Sequence, residues 1–381
     1  MDEPALRLSV THQEIRERAR VLAREVEPFA AAADEAVDVH AETADALRRS
    51  GLAAYVVPSA FGGAEPAPDP LSIAIIREQC MAVSAHLDSL FGMQGVGSYA
   101  LSMGGADELR REWLPKVAAL DAIPAIALTE PEVGSDLRAI TTTLLDEGDV
   151  LRISGRKSFI TNAPVADFVC VLAREGDGYS MALVPAGAAG MTVRSGPDLI
   201  APHIIGEIDF EDVRVPAGHR LGKPGGAFSL MLQTLAVFRV SVAGSAVGLA
   251  QAALDEAVRH ATGREQFGKP LMSLGSVSQS LALSWAEIEA ARALTYRAAA
   301  LAASDPLAHI AETSMAKVIA TETAGRVVDR AVQAMGRFGL VRGSRIERLY
   351  RNARPLRVYE GSTEVLLDSL ARSLAKRSAT S

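Results

Sequence analysis

The chain has 381 residues, of which 49% are hydrophobic, so it can bury a large core and form two or three domains. Its net charge is -7 and its pI is near 5.6, and no stretch gathers the Lys and Arg needed to neutralise a run of phosphates. These values argue against a nucleic-acid-binding protein. The acidic net charge mainly contributes to solubility.

Residue types exclude two further classes of site. Cys80 and Cys170 lie far apart in apolar surroundings, which predicts buried thiols rather than a disulfide framework. The seven His residues are not paired at metal-ligand spacing, so no metal site is expected. No Gly-x-Gly-x-x-Gly follows a predicted strand, which leaves a Rossmann nucleotide fold unsupported.

The N-terminal segment favours an intracellular protein. It has no secretory apolar core, and no apolar run reaches the roughly 18 uncharged residues that cross a bilayer. Helical spacing begins at once, with Ile15, Ala19, Leu22 and Val26 on one face, and leaves no room for an Arg-rich transit peptide. We therefore expect a reducing, bacterial-type cytoplasm and no membrane partner.

The chain changes character twice. Residues 11–120 have helical apolar spacing, with turn residues at 61–63 and a Pro-rich connector at 66–70. Between 125 and 220, short apolar runs at 168–172 and 181–184 read as strands.

The same middle part contains two further β signals. Residues 208–215 alternate with period two, as a half-buried strand does, and Asp146-Glu147-Gly148-Asp149 is a hairpin signal. Helical spacing returns after Gly226 and is broken mainly near Pro270, Pro306 and residues 336–343. We predict an α+β multidomain fold with an N-terminal helical domain (1–124), a small middle β domain (125–226) and a C-terminal four-helix bundle (227–381).

Five short segments carry residues suited to cofactor or proton chemistry. Glu360-Gly361 places a carboxylate beside the smallest residue in an apolar segment, which suggests a catalytic base, although such a Glu is usually a solvated helix-start residue. Gly134-Ser135 supplies a flexible amide and a hydroxyl suited to a pyrophosphate, and its alternative is an ordinary turn. The other segments are 155–162, 264–268 and 331–336.

Five motifs, taken in chain order, resemble those of the acyl-CoA dehydrogenase family of flavoproteins. They are Ala127-Leu128-Thr129-Glu130-Pro131-Glu132-Val133-Gly134-Ser135-Asp136, Gly155-Arg156-Lys157-Ser158-Phe159-Ile160-Thr161-Asn162, Arg264-Glu265-Gln266-Phe267-Gly268, Ala331-Val332-Gln333-Ala334-Met335-Gly336 and Tyr359-Glu360-Gly361-Ser362-Thr363. The resemblance runs over nearly the whole chain, and it implies the same α, β, α architecture with FAD as cofactor. The implied FAD-contacting residues of one subunit are Ile126, Leu128, Thr129, Gly134, Ser135, Phe159, Ile160, Thr161, Ser362 and Glu364. Those implied to reach the FAD of a neighbouring subunit are Arg264, Gln266, Phe267, Gln333, Gly336 and Arg337.

The chain departs from the family pattern at several of these positions. Phe159 stands where many members have Trp; it is still able to cover a flavin face, and a core strand aromatic is its alternative. Glu364 replaces the commoner Gln, and Arg337-Phe338 replaces a usually smaller pair. Where many members carry Phe-Gln and then Gln-His, this chain has Leu274, Gly275, Ser278 and Gln279. Because Gly275 lacks the side-chain amide of the Gln found in many members, we predict weaker FAD retention.

The resemblance makes Glu360 the catalytic base, which removes the proton next to a thioester carbonyl while a hydride leaves the adjacent carbon for the flavin. Some members place their base near Arg239 instead, but this chain has no acidic residue between Leu230 and Arg239. The implied substrate-binding residues are Ser135, Arg239, Gly361 and Arg372; a helix-end surface arginine is the alternative for Arg239.

The expected reaction is FAD-dependent α,β-dehydrogenation of an acyl-CoA to the trans-2-enoyl-CoA, with electrons passed to an electron-transfer flavoprotein. An acyl-carrier-protein-linked dehydrogenase, an acyl-CoA oxidase and a non-enzymatic flavin-binding relative are the alternatives. The family's usual state is a homotetramer, and some members are dimers. The resemblance also implies that the floor of the acyl pocket lies near Phe91, Gly92, Met93 and Gly95, where small residues would leave room for a longer or branched acyl group. The same segment, from Leu87 to Met103, has no Arg or Lys, which disfavours a glutaryl-type substrate.

Overall fold

The computed structural model describes residues 8–380, and its first third is helical. The helices are α1 (Val10–Val26), α2 (Ala30–Ala33), α3 (Ala41–Ser50), α4 (Pro70–Met81), α5 (Ala85–Gly104) and α6 (Asp107–Ala119). The Ser9 side chain caps α1 by accepting from the His12 N–H. Pro70, at the end of the predicted connector, is the first residue of α4, where its missing N–H would have had no helical acceptor.

The middle part is a β structure. Its strands are β1 (Pro124–Ala127), β2 (Thr143–Asp146), β3 (Val150–Thr161), β4 (Phe168–Glu175), β5 (Gly178–Pro185), β6 (Met191–Ser195), β7 (Ile205–Pro216) and β8 (Arg220–Leu221). They form one sheet in the order β6-β7-β3-β2-β4-β5-β8, with β1 parallel to β4. The predicted strands at 168–172, 181–184 and 208–215 lie inside β4, β5 and β7. The predicted hairpin joins β2 to β3, with Gly148 at φ 88°.

The last third is again mostly helical. It comprises α7 (Ala227–Gly263), β9 (Glu265–Gln266), β10 (Lys269–Pro270), α8 (Gly275–Ala302), α9 (Ile310–Met335), α10 (Arg345–Leu356) and α11 (Thr363–Thr380). The small β9–β10 hairpin was not predicted, because its two-residue strands carry no period. The α, then β, then α order confirms the predicted fold class, while the boundaries at 124 and 226 stay predictions.

The chain forms two compact units, and two of the four limits between them fall inside α5 and α7. The helical unit contains the described residues up to 34, then 70–88 and 236–380. The β unit contains 35–69 and 89–235. Each unit is therefore assembled from separate stretches of chain.

In the helical unit, α4 is the central helix. Ile73, Ile75 and Ile76 are completely buried, and α4 packs against α1 and α8. Two glycines of α7 lie directly on its backbone. A Cβ atom at Gly244 would come within 2.4 Å of the Ala74 carbonyl oxygen, and one at Gly248 within 1.9 Å of the Glu78 carbonyl oxygen. Only glycine permits an approach this close.

Helix α7 is long and apolar enough to span a membrane by length and composition alone. However, 83% of its most apolar 18-residue window is buried inside the protein. Its hydropathy is therefore accounted for by its position in the core.

Both cysteines are buried free thiols, as predicted. Burial raises the pKa of Cys170 to about 12. Its thiol therefore stays protonated at neutral pH, and Cys170 packs as a small apolar side chain in β4.

Candidate active site

Glu360 lies in the segment between α10 and α11 with an unusual backbone conformation. Its φ is 54° and that of Gly361 is 102°, so two successive residues are left-handed. For a residue with a side chain this conformation is uncommon and is maintained only where the surroundings enforce it. A side chain at Gly361 would crowd Leu366, whose Cδ2 lies 3.0 Å from the Cβ position.

Two buried cations hold this segment by its carbonyl groups. Arg239 Nε of α7 donates to the Glu360 carbonyl oxygen at 3.0 Å. Lys317 Nζ of α9 donates to the Gly361 carbonyl oxygen at 2.7 Å. Both side chains come from the helical unit, and both carbonyls belong to the left-handed residues. The segment is thus fixed from two helices by charge-assisted hydrogen bonds.

Thr363, two residues after Gly361, anchors the start of α11. Its N–H donates to the Arg357 carbonyl oxygen at 3.2 Å and its hydroxyl donates to Glu322 Oε1 at 2.8 Å. Arg357 Nε donates to the same Glu322 oxygen at 2.8 Å. The segment therefore has fixed points on both sides of Glu360.

The Glu360 carboxyl group itself is left free. Its Oε2 atom is buried and has no hydrogen-bond partner within the described part of the chain. Burial raises the pKa of Glu360, although Arg77, Lys317 and Arg239 oppose the rise. A buried polar atom without a partner is costly, so it normally has a functional reason.

Arg77 is one of these cations, and its charge is already paired. Its Nε and Nη2 atoms donate to the two Asp88 carboxylate oxygens at 2.9 and 2.6 Å. Ser241 accepts from Arg77 Nη1 and Ser245 donates to Asp88 Oδ1, both at 2.9 Å. Because Asp88 raises the pKa of Glu360 while Arg77 lowers it, the pair acts on Glu360 with partly cancelling charges.

The charges of the other two cations are less well compensated. Burial lowers the pKa of Lys317 to about 8, even though Glu360 acts to raise it. Burial also lowers the pKa of Arg239, against the same influence of Glu360. Burying an ammonium or a guanidinium costs free energy unless the charge is paired or hydrogen-bonded.

In the β unit, the segment after β1 is tied to β3. Glu130 and Val133 exchange backbone hydrogen bonds of 2.8 and 3.1 Å in a tight turn. The Ser158 N–H donates to the Thr129 carbonyl oxygen at 3.0 Å, and Lys157 Nζ donates to that of Leu128 at 2.9 Å. The two predicted flavin motifs of this unit therefore lie side by side.

A buried ion pair supports this junction. Lys157 Nζ lies 3.0 Å from Glu130 Oε1. The Glu130 carboxylate also accepts from the Thr141 N–H and hydroxyl, both at 2.7 Å, and from the Thr142 N–H at 2.9 Å.

The two partners of this pair differ in how well their charges are satisfied. Burial acts to raise the pKa of Glu130, but the hydrogen bonds from Thr141 and Thr142 lower it to about 2. Burial lowers the pKa of Lys157 to about 8, although the charge of Glu130 and the hydrogen bond to it act to raise it. We therefore take the carboxylate to be the better stabilised partner.

Phe159 is turned out of the sheet. The β3–β7 register shifts between Lys157 and Ile160, and Phe159 has φ 55° in this bulge. Its side chain is 54% exposed, whereas Ile160 is 2% exposed, so Phe159 is not a core aromatic. Ser158 Oγ is buried and has no hydrogen-bond partner among residues 8–380. Bulges of this kind re-aim a side chain.

The two segments predicted to reach a neighbouring subunit meet at Phe338. The guanidinium carbons of Arg264 and Arg337 lie 5.5 and 5.1 Å from the Phe338 ring centre. Phe267, at the tip of the β9–β10 hairpin, is 90% exposed, and Leu340 is 75% exposed. The helical unit thus presents a surface of exposed aromatic and apolar side chains edged by arginines.

The remaining predicted residues are distributed over both units. Ile126 lies in β1, Leu128 and Thr129 follow it half-buried, and the Thr161 hydroxyl lies 3.2 Å from His203 Nε2. Gly134 and Ser135 are exposed after the turn. In the helical unit, Gln266, Gln333 and Gly336 are exposed, Ser362 is half-buried and Glu364 is exposed.

Two predicted positions lie apart from the Glu360 contacts. Arg372 pairs with Asp368 on α11, and the described residues include no hydrogen bond or ion pair from Arg372 to Glu360. Gly275 is the first residue of α8, with open space around it, and the departures at 274–279 fall at the start of this helix, where Leu274 and Ser278 are half-buried.

Sequence reasoning missed Lys317, Lys157 and the Arg77–Asp88 pair. One signal was available, since Lys317 stands on the same helical face as Ser314, Thr321 and Ala324, all of which are buried. A lone cation on a buried helical face indicates a paired or functional charge.

Three family profiles match this chain in succession. The acyl-CoA dehydrogenase N-terminal domain matches residues 9–121, the middle domain 125–213 and the C-terminal domain 225–375.

Curated relatives match at full length. The chain is 33% identical to cyclohexane-1-carbonyl-CoA dehydrogenase of Geobacter metallireducens, over 97% of this chain and 99% of that protein. It is 35% identical to cyclohex-1-ene-1-carbonyl-CoA dehydrogenase of the same organism, over 93% and 95% of the two chains.

Solved structures are similar throughout. Butyryl-CoA dehydrogenase of Megasphaera elsdenii superimposes with a TM-score of 0.91 at 28% identity, covering 98% of this chain and 100% of that one. A structure described as the electron transferring flavoprotein of Acidaminococcus fermentans gives a TM-score of 0.92 at 30% identity, covering 97% and 99%. An acyl-CoA dehydrogenase of Bacillus anthracis complexed with FAD gives 0.90 at 25% identity, covering 98% and 68%.

Proposed function

Because this chain belongs to the acyl-CoA dehydrogenase family, whose members are FAD-dependent oxidoreductases, we propose that Glu360 is the base that starts α,β-dehydrogenation of its acyl-CoA substrate. The observation that carries this proposal is the buried Glu360 Oε2 atom, which lacks a partner among the described residues. A carboxylate with a raised pKa is also a stronger base than one in water.

The proposed proton step uses the side chain and the backbone of the same residue. The Glu360 carboxylate removes the proton from the carbon next to the thioester carbonyl, and negative charge then develops on the carbonyl oxygen. The Glu360 N–H has no acceptor in the described chain, so it is available to stabilise that oxygen. Gly361 allows the substrate to approach the backbone closely. The product is the trans-2-enoyl-CoA.

The residues of the β unit fit FAD. Phe159 presents an exposed ring, and the space around Gly134 is open, with nothing within 4 Å of a Cβ position. The exposed Ser135 offers a hydroxyl donor, and the Leu128–Thr129 segment is fixed in place by Lys157 and Ser158. When bound, FAD supplies the acceptor for the hydride that leaves the β-carbon.

We propose a branched or alicyclic acyl group as substrate. Gly92 and Gly95 are buried on α5 and take little space, and the two relatives reported above act on cyclohexane- and cyclohexene-carbonyl-CoA. No Arg or Lys lies between Leu87 and Met103, so a dicarboxylate substrate of the glutaryl type is not expected. Arg239 and Arg372 remain proposed substrate contacts.

For the electrons, we propose an electron-transfer flavoprotein as the acceptor, supported by the structural neighbour described by that name. Oxygen, as in an oxidase, is the second candidate acceptor, and an acyl-carrier-protein thioester is the second candidate substrate. A cytoplasmic location fits the two free buried thiols.

We also propose a homo-oligomer, a tetramer or a dimer, in which one chain completes the cofactor site of its neighbour. Arg264 and Arg337 converge on Phe338, and Phe267 is 90% exposed. Arginine side chains form bidentate hydrogen bonds with phosphate oxygens, and exposed aromatic side chains such as Phe267 are typical of protein–protein interfaces.

The test is anaerobic titration of the FAD-loaded protein with straight, branched and alicyclic acyl-CoAs, followed by flavin absorbance, with Glu360→Gln in parallel. We expect branched or alicyclic thioesters to bleach the flavin of the wild type and no thioester to bleach that of the variant. Bleaching of the Glu360→Gln flavin at the wild-type rate would remove Glu360 as the base. If no CoA ester bleaches the flavin and an acyl-carrier-protein thioester does, the carrier-protein thioester is the favoured substrate.

A further inference from the structure

The Lys317 side chain makes its hydrogen bond outside its own helix. It is 0% exposed, and its ammonium donates to the Gly361 carbonyl oxygen, the one side-chain hydrogen bond that Lys317 makes within the described chain. Its neighbours on the same face, Ser314 and Thr321, instead donate to carbonyl groups of α9 itself. A buried ammonium is costly, and a leucine or methionine would fill such a site at less expense.

The contact falls on a pair of residues with left-handed backbone conformation. Glu360 and Gly361 have φ values of 54° and 102°, and their carbonyl groups are the two that Arg239 and Lys317 hold. Arg239 belongs to α7 and Lys317 to α9, so the strained pair is held from two separate helices. Neither carboxylate oxygen of Glu360 takes part in these contacts.

We propose that Lys317 is a positioning residue for the base: it holds the Gly361 carbonyl so that the Glu360 carboxylate stays aimed, and its positive charge favours the ionised carboxylate. This rests on the proposed role of Glu360. It assigns Lys317 a role in proton abstraction without contact with substrate.

The charges that surround these two groups fix the expected pH behaviour. Those facing Glu360 are Arg77, Lys317, Arg239 and Asp88. Those facing Lys317 are Glu360, Arg239, Glu322 and Glu364. Removing the Lys317 charge takes away one of the influences that lower the pKa of Glu360. The fraction of ionised base at a given acidic pH therefore falls.

The experiment compares FAD-loaded Lys317→Met, Lys317→Arg and Thr321→Val with the wild type. Thr321 is a buried polar residue one turn further along α9, so its variant controls for damage to the helix. For Lys317→Met we expect kcat to fall about 10- to 100-fold with KM changed less than about threefold. The acid limb of kcat should move to higher pH. Lys317→Arg should keep the acid limb near that of the wild type. Thr321→Val should keep both kcat and its acid limb at wild-type values.

Hydrogen–deuterium exchange of a peptide spanning 357–366 gives a readout that needs no substrate. Faster exchange in Lys317→Met than in Thr321→Val is expected, because the Gly361 carbonyl has lost its donor. A Lys317→Met protein with wild-type kcat, acid limb and exchange would overturn the proposal.

Failure of the proposed function would look different. If no thioester bleaches the wild-type flavin, the exchange comparison alone decides. Faster exchange in Lys317→Met then supports the positioning of the segment, and unchanged exchange rejects it.

Discussion

At Glu360, burial and nearby charge act against each other. Burial raises the pKa, while Arg77, Lys317 and Arg239 lower it, and Asp88 cancels part of the arginine contribution. The net rise in the pKa makes the carboxylate a stronger base than one in water. The pKa of Glu360 is therefore set by its burial and by the nearby cations together.

The length of the Glu360 side chain gives a first prediction. Glu360→Asp retains the charge but withdraws the carboxylate by one methylene, so we expect kcat to fall roughly 100-fold with a small change in KM. Because the base acts when ionised, wild-type kcat/KM should decline with falling pH, at a midpoint above the ordinary value of 4.5. Steady-state kinetics between pH 5 and 9 measure both. A midpoint at or below 4.5 would contradict the raised pKa.

The Glu130–Lys157 pair predicts acid sensitivity. The folded pKa of Glu130 is about 2, below the ordinary 4.5, so its stabilisation is complete above pH 4.5 and is lost as the pH falls towards 2. Glu130→Gln should cost about 3 kcal/mol of unfolding free energy at pH 7, and that difference should shrink by about 2 kcal/mol at pH 3. Urea unfolding at both pH values measures this. The exposed Glu132→Gln is the control, and equal effects of the two variants would refute the assignment.

Sequence motifs reached some of these residues and not others. Glu360, Ser135 and Phe159 stand in short contiguous patterns. Lys157, Lys317 and Arg77 act on partners that are 27, 44 and 164 positions away, at Glu130, Gly361 and Ser241. Contacts of this length depend on how whole helices and strands pack, so no local pattern reports them.

Among the elements, α7 and α4 make the closest helix contact described. Gly248→Ala would place a Cβ atom 1.9 Å from the Glu78 carbonyl oxygen and force the two helices apart, so we expect a loss of about 1 to 3 kcal/mol or more. Gly263→Ala, on the same helix with open space around it, should be neutral or slightly stabilising. Denaturant unfolding of the two variants distinguishes them. A loss of the same size in both would indicate a helix-wide effect.

Strand β3 contains a feature that the sequence did not show. A core strand aromatic was the alternative for Phe159, but the shift in register after Lys157 turns this residue outward. A bulge adds one residue to one strand and leaves no compositional signal. The outward direction of Phe159 was therefore not predictable from the sequence.

The exposed Phe159 ring leads to a prediction that separates binding from stability. Phe159→Ala should change the unfolding free energy of the apoprotein by less than about 0.5 kcal/mol, because the ring is outside the core. The same variant should bind FAD about 10-fold more weakly through loss of ring contact. Fluorescence titration with FAD and urea unfolding test the two parts. Leu145→Ala, exposed on β2, is the control and should affect neither.

For the whole molecule, composition and motif order predicted the α, β, α arrangement, and the structure confirms it. The assembly of two units from separate stretches was not predicted. One limit, between residues 69 and 70, coincides with the predicted Pro-rich connector, but two others fall inside α5 and α7, where helical periodicity continues unbroken. A helix that passes from one unit to the next gives no Gly, Pro or polar linker to mark the change.

The proposed oligomer also makes a prediction. Phe267→Asp places a charge at the most exposed point of the β9–β10 hairpin, so we expect a shift towards smaller species and less FAD per chain. Both effects should increase on dilution, because a shared site depends on association. Sedimentation velocity with detection at 280 and 450 nm follows both. Val10→Asp, exposed on α1, is the control. An unchanged assembly that retains FAD on dilution would argue for a site complete in one chain.

The position of α4 at the centre of the helical unit has a consequence for synthesis on the ribosome. About 190 residues separate the end of α4 from the start of α8, against which it packs. At roughly 5–20 residues per second, translation of that interval takes on the order of 10 to 40 s. Throughout it, Ile73, Ile75 and Ile76 lack part of their final cover. The nascent chain therefore offers a long-lived apolar helix to chaperones, and its vulnerable period ends only when α8 emerges.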